Sequence, residues 1–89
     1  GGTHSDDMPT TSLVSSDLAD GAISVADLLV KTGLAPSKGE AKRLIQQGGV
    51  SVDDVKVSDF AAVIGKESFD KGQVILKKGK KIYHKVLLG

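Results

Sequence analysis

The 89 residues predict a small α+β domain: a two-helix hairpin packed on a small, mainly antiparallel sheet that ends in a C-terminal β-hairpin. Three observations predict it. Two serine-led caps, Ser24-Val25-Ala26-Asp27 and Ser37-Lys38-Gly39-Glu40, each open a run with apolar residues at helical spacing. Beyond Gly49 the apolar residues become short valine- and isoleucine-rich runs, separated by Asp53-Asp54 and Gly79-Lys80. The length admits one domain, and a domain of this size buries only about 60–65% of its unfolded surface.

The first 22 residues, rich in Gly, Ser, Thr and Asp and containing Pro9, read as a flexible acidic linker, with the folded domain spanning 23–88. A start at Gly-Gly rather than Met is what an excised fragment or a cloning remnant would show. Leu13, Val14 and Leu18 are enough for a short turn against the body, but the composition favours linker. The first helix follows Ser24, whose hydroxyl is placed to accept from the Asp27 amide. Val25, Leu28 and Leu29 form its apolar side and Gly33 its stop. The second follows Pro36-Ser37 and ends at Gly48-Gly49. Only Gly33 to Ser37 separates the two, which makes them an αα-hairpin.

At 100° per residue, Lys38, Lys42, Gln46 and Arg43 of the second helix share an arc of about 140°, while Ala41, Leu44 and Ile45 occupy the other side. Val50, Val52, Val55 and Val57 then bracket a tight turn at Asp53-Asp54. Phe60 to Ile64 is a short apolar run that periodicity leaves undecided. Val74–Lys78 and Lys81–Leu87 flank Gly79-Lys80 as a two-residue turn. Pairing outward from that turn puts Val74, Leu76, Lys78, Lys81, Tyr83 and Lys85 on one face, read as the wet basic one. Ile75, Lys77, Ile82, His84 and Val86 fall on the other, read as core.

The net charge of +1 hides an asymmetry. Residues 1–23 hold Asp6, Asp7, Asp17 and Asp20 with no Lys or Arg, a net −4; residues 24–89 hold all twelve Lys and Arg against seven Asp and Glu, a net +5. Such a split fits nucleic-acid or anionic-surface binding, and on charge alone it fits a well-solvated surface equally well. Without cysteine no disulfide or thiolate metal site is possible, and the longest apolar run, Phe60 to Ile64, is far too short to span a membrane. The only histidines are His4, in the linker, and His84, read as a partly exposed strand residue. Neither has metal ligands or a nucleophile at useful spacing. No catalytic or metal site is therefore assigned. With Phe60, Phe69 and Tyr83 the only aromatics, the chain lacks a stacking platform for single strands and should grip structured RNA by backbone and shape, with Tyr83 available for one base.

The run Ser24-Val25-Ala26-Asp27-Leu28-Leu29 followed by Gly33-Leu34-Ala35-Pro36-Ser37-Lys38-Gly39-Glu40-Ala41-Lys42-Arg43-Leu44-Ile45-Gln46-Gln47-Gly48-Gly49-Val50 resembles the S4-like RNA-binding domain. Within that superfamily it is most similar to the C-terminal domain of bacterial tyrosyl-tRNA synthetase, as are Lys77-Lys78-Gly79-Lys80-Lys81-Ile82-Tyr83-His84 and the linker-like Asp6-Asp7-Met8-Pro9-Thr10. The resemblance implies an S4-like fold that binds tyrosine tRNA at its long variable arm and anticodon-stem region and aids aminoacylation. It implies Lys38, Lys42 and Arg43 as RNA-binding residues, with Lys80, Lys81 and Lys85 from the hairpin; Gln46 joins them as a neighbour on the same arc of the second helix. Partners would be tRNA and the synthetase's catalytic domain, in a cytoplasmic, homodimeric parent, the isolated domain being a monomer without membrane contact. No cofactor is expected here, since ATP and Mg belong with the catalytic domain; its His-x-Gly-His and Lys-Met-Ser-Lys-Ser motifs are absent from this chain. Two departures matter. Lys38 and Lys42 stand where the superfamily often has Arg, trading bidentate phosphate contacts for point charges. Asp53-Asp54 stands where Asn-Gly is common, placing negative charge near the expected RNA face. Two alternatives stay open: an S4-like domain of another RNA-modifying or ribosome-associated protein, and a structural or protein-interaction module of a parent enzyme.

Overall fold

The computed structural model describes residues 8–70 and 72–88. Among the described residues, seven strands, two α-helices and two 3-10 turns follow in chain order: β1 (Thr10–Leu13), a turn at Ser15–Asp17, β2 (Ala22–Ser24), α1 (Val25–Lys31), α2 (Lys38–Gln46), β3 (Val50–Val52), β4 (Val55–Val57), β5 (Val63–Gly65), a turn at Lys66–Phe69, β6 (Val74–Lys78) and β7 (Ile82–Leu88). Five strands make one sheet in the order β1-β7-β6-β3-β4, antiparallel except where β1 runs parallel to β7; β2 and β5 form a second, antiparallel pair. The predicted α+β class holds.

Both helix caps form as their sequences dictate. The Asp27 amide donates to Ser24 Oγ at 3.0 Å and the Glu40 amide to Ser37 Oγ at 3.3 Å. Gly33 and Gly48, at φ +79° and +74°, take the left-handed conformation that ends each helix. Ala26 and Ala41 are buried between larger neighbours, and Leu28, Leu29 and Ile45 are fully buried with Val50, Val74, Leu76 and Val86 from the large sheet. The helical hairpin thus covers one face of that sheet. The Lys78 stem follows the same face until its ammonium donates to the Leu34 carbonyl, at 2.8 Å, in the loop between the helices.

The β3–β4 turn also forms as read. Asp53 and Asp54 have φ of 50° and 70°, the positive pair a type I′ turn needs, which aspartate tolerates better than most residues. Asp53 is stitched to β6, its amide donating to the Ile75 carbonyl and its Oδ1 accepting from the Ile75 amide. Val50 pairs with Lys78 and Val52 with Leu76, so this acidic turn sits at the end of β3 away from Gly49 and the β6–β7 turn. It does not border the basic helix and turn as expected. Of the undecided Phe60–Ile64 run, only Val63 and Ile64 enter a strand, with Ile64 buried and Val63 exposed.

Other expectations fail, the first at the C-terminal hairpin. The β6–β7 turn holds three residues, Gly79 to Lys81, and pairs Lys78 with Ile82. A shift of one residue transfers every side chain of one strand to the other face. Val74 and Leu76 therefore share the core face with His84 and Val86, while Ile75, Lys77, Tyr83 and Lys85 lie on the outer face. This register buries Val74, Leu76 and Val86 together on the face the helices cover. The Gly79 amide, at φ +68°, continues the β3–β6 ladder by donating to the Gly49 carbonyl at 2.7 Å, which anchors the turn beside the end of α2. His84, expected at a partly exposed position, is 6% exposed and buried in the core face.

The second correction concerns the linker. Thr10–Leu13 is an edge strand of the large sheet, Leu13 is 2% exposed, and Leu18 is also buried. Asp17 accepts from the Val14 amide at 2.9 Å and meets Lys31 at 3.3 Å. Order thus begins well upstream of Ala22. The part of the linker up to Asp7, with His4, lies outside the described residues.

Candidate nucleic-acid interface

The second helix is the centre of the basic surface. Ala41 and Ile45 anchor it from below, so Lys42, Arg43 and Gln46 must project outward together. The helix forms a ridge between two shallow grooves. One, about 340 Å³, is lined by Gly39, Lys42, Arg43, Gln46 and Phe60. The other, about 520 Å³, runs from Leu44, Gln47 and Gly49 to Lys80 and Lys81 of the β6–β7 turn and Ile82 at the start of β7. The Gly79–Gly49 hydrogen bond brings that turn to α2. Two stretches nearly forty residues apart in sequence therefore present charge on adjoining surfaces.

Each expected residue can now be placed. Lys42, Arg43 and Gln46 line the first groove, and Lys80 and Lys81 the second. Lys38, at the start of α2, is exposed and pairs with Asp27 of α1, Nζ to Oδ1 at 3.0 Å. That hydrogen bond is the chief reason the Asp27 carboxyl titrates below its usual range. Arg43 Nη1 lies 3.6 Å from Glu40 Oε1, a loose pairing one turn back. Lys85 is not part of this surface: it pairs with Ile75 on the outer face of the sheet, beside Tyr83 and Lys77. There the Lys77 ammonium sits 5.5 Å from the Tyr83 ring centroid. Tyr83 thus stands apart from the α2 ridge.

The residue sequence reasoning passed over is Phe60. It lies in the loop before β5, 43% exposed, with the Lys42 ammonium 5.7 Å from its ring centroid. A local signal existed: Ser58-Asp59 favours an Asx turn, and the Asp59 carboxylate accepts from the Ala61 amide at 2.9 Å. That turn marks Phe60 as a loop residue rather than a strand residue. Its neighbourhood with α2 was not readable locally.

Phosphate binding suits this arrangement. Exposed ammonium and guanidinium groups on a rigid ridge neutralise a polyanion without burying charge. Among the described residues no three His, Asp or Glu side chains group to hold a metal ion. No helix among them is long and apolar enough to cross a membrane.

Comparison with known proteins gives the family of the chain. The sequence profile of the tyrosine–tRNA ligase SYY-like C-terminal domain matches residues 3–86. The tyrosine–tRNA ligase of Acetivibrio thermocellus is 52% identical over 87 residues, covering 98% of this chain and 21% of that protein. Tyrosine–tRNA ligase 1 of Clostridium acetobutylicum is 46% identical over 90 residues, with 100% and 21% covered. The enzyme of Treponema denticola is 43% identical over 88 residues, with 98% and 21% covered. The chain spans about a fifth of the length of these curated relatives. By the extent of the profile match and the identity of these relatives, the chain belongs to the tyrosine–tRNA ligase SYY-like C-terminal domain family.

Proposed function

We propose that this chain is the tRNA-binding appendage of a tyrosyl-tRNA synthetase. It holds tyrosine tRNA at the long variable arm and anticodon stem while a separate catalytic domain, with ATP and Mg, performs aminoacylation in the cytoplasm. The observation that carries the reading is the α2 ridge, where Lys42 and Arg43 project beside the Lys80-Lys81 turn. Lys38 adds to the same helix, its charge shared with Asp27. Lys85, on the outer face, contributes only to the wider positive field. The domain works by positioning rather than by chemistry: phosphate contacts fix the register of the RNA and leave sequence unread.

Titration of the chain with tyrosine tRNA, and with a variable-arm deletion, at two salt concentrations tests this. Five phosphate contacts predict that log affinity falls against log salt with a slope of about −4 to −5, on the duplex-DNA coefficient. The deletion should bind more weakly. A salt-insensitive isotherm, or equal affinity for both RNAs, would rule the reading out. Gel filtration of the chain and of the whole synthetase checks the expected monomer and homodimer.

A further inference from the structure

Resting on the tRNA-binding reading, we propose that Phe60 is a stacking residue for one unpaired nucleobase, received in the groove between the 58–62 loop and α2. The groove has the components such a base requires. Phe60 supplies an exposed aromatic face; Lys42 and Arg43 border it with charge for the flanking phosphates; Gln46 offers an amide able to both donate and accept. The fourth wall is Gly39. Its φ is not in the left-handed region, and a Cβ built there would meet only the Ser37 hydroxyl, at 4.0 Å. Neither backbone nor packing needs a glycine here, and in the first turn of α2 it forgoes helix propensity. Its effect is to leave the groove open beside the ring.

The aromatic is held in advance. The Asp59 carboxylate accepts from the Ala61 amide, the Ala62 amide donates to the Asp59 carbonyl at 2.9 Å, and the Val25 amide at the start of α1 donates to the Ala62 carbonyl at 3.0 Å. A ring on so fixed a loop loses little freedom when a base arrives. The Lys42 ammonium lies over the ring face, 5.7 Å from its centroid. Its flexible four-carbon stem lets it swing to a phosphate as the base takes its place, exchanging a cation–π contact for stacking plus an ion pair. Fully paired duplex RNA has no base to offer, so the groove selects RNA with an unstacked nucleotide.

The chain contains no tryptophan, so Phe60→Trp introduces a single indole reporter. We expect tyrosine tRNA to quench its emission and a fully base-paired RNA duplex to leave it unchanged. Phe60→Ala should weaken tRNA binding about five- to a hundredfold without altering the salt slope, because no phosphate contact is lost. Gly39→Gln, which fills the groove from a position where the fold has room, should weaken binding similarly with helix content unchanged. Tyr83→Leu, on the outer face, should bind as wild type. Salt-dependent tRNA binding with no quenching and an unaffected Phe60→Ala variant would overturn the stacking role and leave the charge-based reading standing. Quenching by tRNA and duplex alike would overturn the claim for an unpaired base. Absence of salt-dependent tRNA binding by the wild-type chain would overturn both proposals.

Discussion

The α1–α2 hairpin is closed by contacts a few residues apart, whereas β1 is held by partners far along the chain: Thr11 meets His84 across 73 positions. In the hairpin, Ser24 and Ser37 cap, Gly33 and Gly48 terminate, and Ala26 and Ala41 let the helices approach. On β1 the fixing contacts are a parallel register with β7, one hydroxyl–imidazole hydrogen bond of 2.7 Å and the buried Leu13. The hairpin carries the basic ridge on α2. The strand β1 ties the N-terminal segment to the far edge of the same sheet. The helical half is therefore fixed by local groups and β1 by a small number of distant ones, which single substitutions can separate.

The largest effect should come from the helical half. Leu28 is fully buried between α1 and the sheet. Leu28→Ala should cost about 2–5 kcal/mol, which in a domain this small corresponds to a fall in Tm of roughly 10 °C or more. A melt by circular dichroism that moves by only a few degrees would show that the core relaxes around the cavity.

Next is the β1 fastening. Thr11→Val keeps the shape of the side chain but leaves the buried His84 ring nitrogen without its partner, at a cost of about 1–3 kcal/mol. Amide exchange should then rise along Thr10–Leu13 and its β7 partners while α1 and α2 keep their protection. Equal loss in both regions would mean that β1 and the helices open as one unit.

The same residue gives a pH dependence. Burial lowers the His84 pKa below its ordinary 6.5, so the native ring stays neutral where an unfolded chain takes up a proton. Between the native value and 6.5 the unfolded state binds more protons, so stability falls as pH drops through that window. Above 6.5 His84 contributes no slope. Melts from pH 7.5 to pH 5 should show the fall, and His84→Gln should flatten its upper part. Identical profiles would place the acid sensitivity on the carboxylates.

These contrasts also explain what could be read from the chain alone. The caps, the glycine stops and the Asp53-Asp54 turn are decided by residues one to four positions apart, and they formed as expected. The β6–β7 register is the one that buries Val74, Leu76 and Val86 on a single face beneath the helices, so a local turn pattern placed it one residue out. Strand β1, written in Thr and Ser, has linker composition; its order comes from β7 and from a core that Leu13 joins. For the site, α2's basic arc was legible because helical periodicity alone groups Lys42, Arg43 and Gln46. Phe60 and the separation of Lys85 were not, since both depend on which faces the tertiary fold brings together.

The next effect is smaller and returns to the caps. Ser37→Ala removes the oxygen that accepts from the Glu40 amide and should cost about 1 kcal/mol. Because this cap starts the helix that bears the basic ridge, RNA affinity should fall along with Tm. A Tm shift with intact tRNA binding would show that the ridge tolerates fraying of its first turn.

The smallest expected effect is at Lys38, whose ion pair with Asp27 joins the two helices at the surface. Both side chains are largely exposed, so Lys38→Ala should destabilise by no more than about 1 kcal/mol, and less as salt rises. Asp27 has its native pKa lowered, chiefly by the Lys38 hydrogen bond, so the pair's contribution is present above the ordinary carboxylate value of 3.8 and is lost as pH falls through the native one. The two roles of Lys38 compete: an ammonium engaged by Asp27 at 3.0 Å is a weaker phosphate ligand than that of Lys42, which lies over Phe60 rather than against a carboxylate. Asp27→Asn should therefore lower stability slightly while raising tRNA affinity at low salt, since it removes a negative charge and releases a positive one. Lys42→Ala should reduce affinity more than Lys38→Ala in the same titration. Equal losses from the two lysines, with no gain from Asp27→Asn, would show that RNA displaces Asp27 from Lys38 at negligible cost.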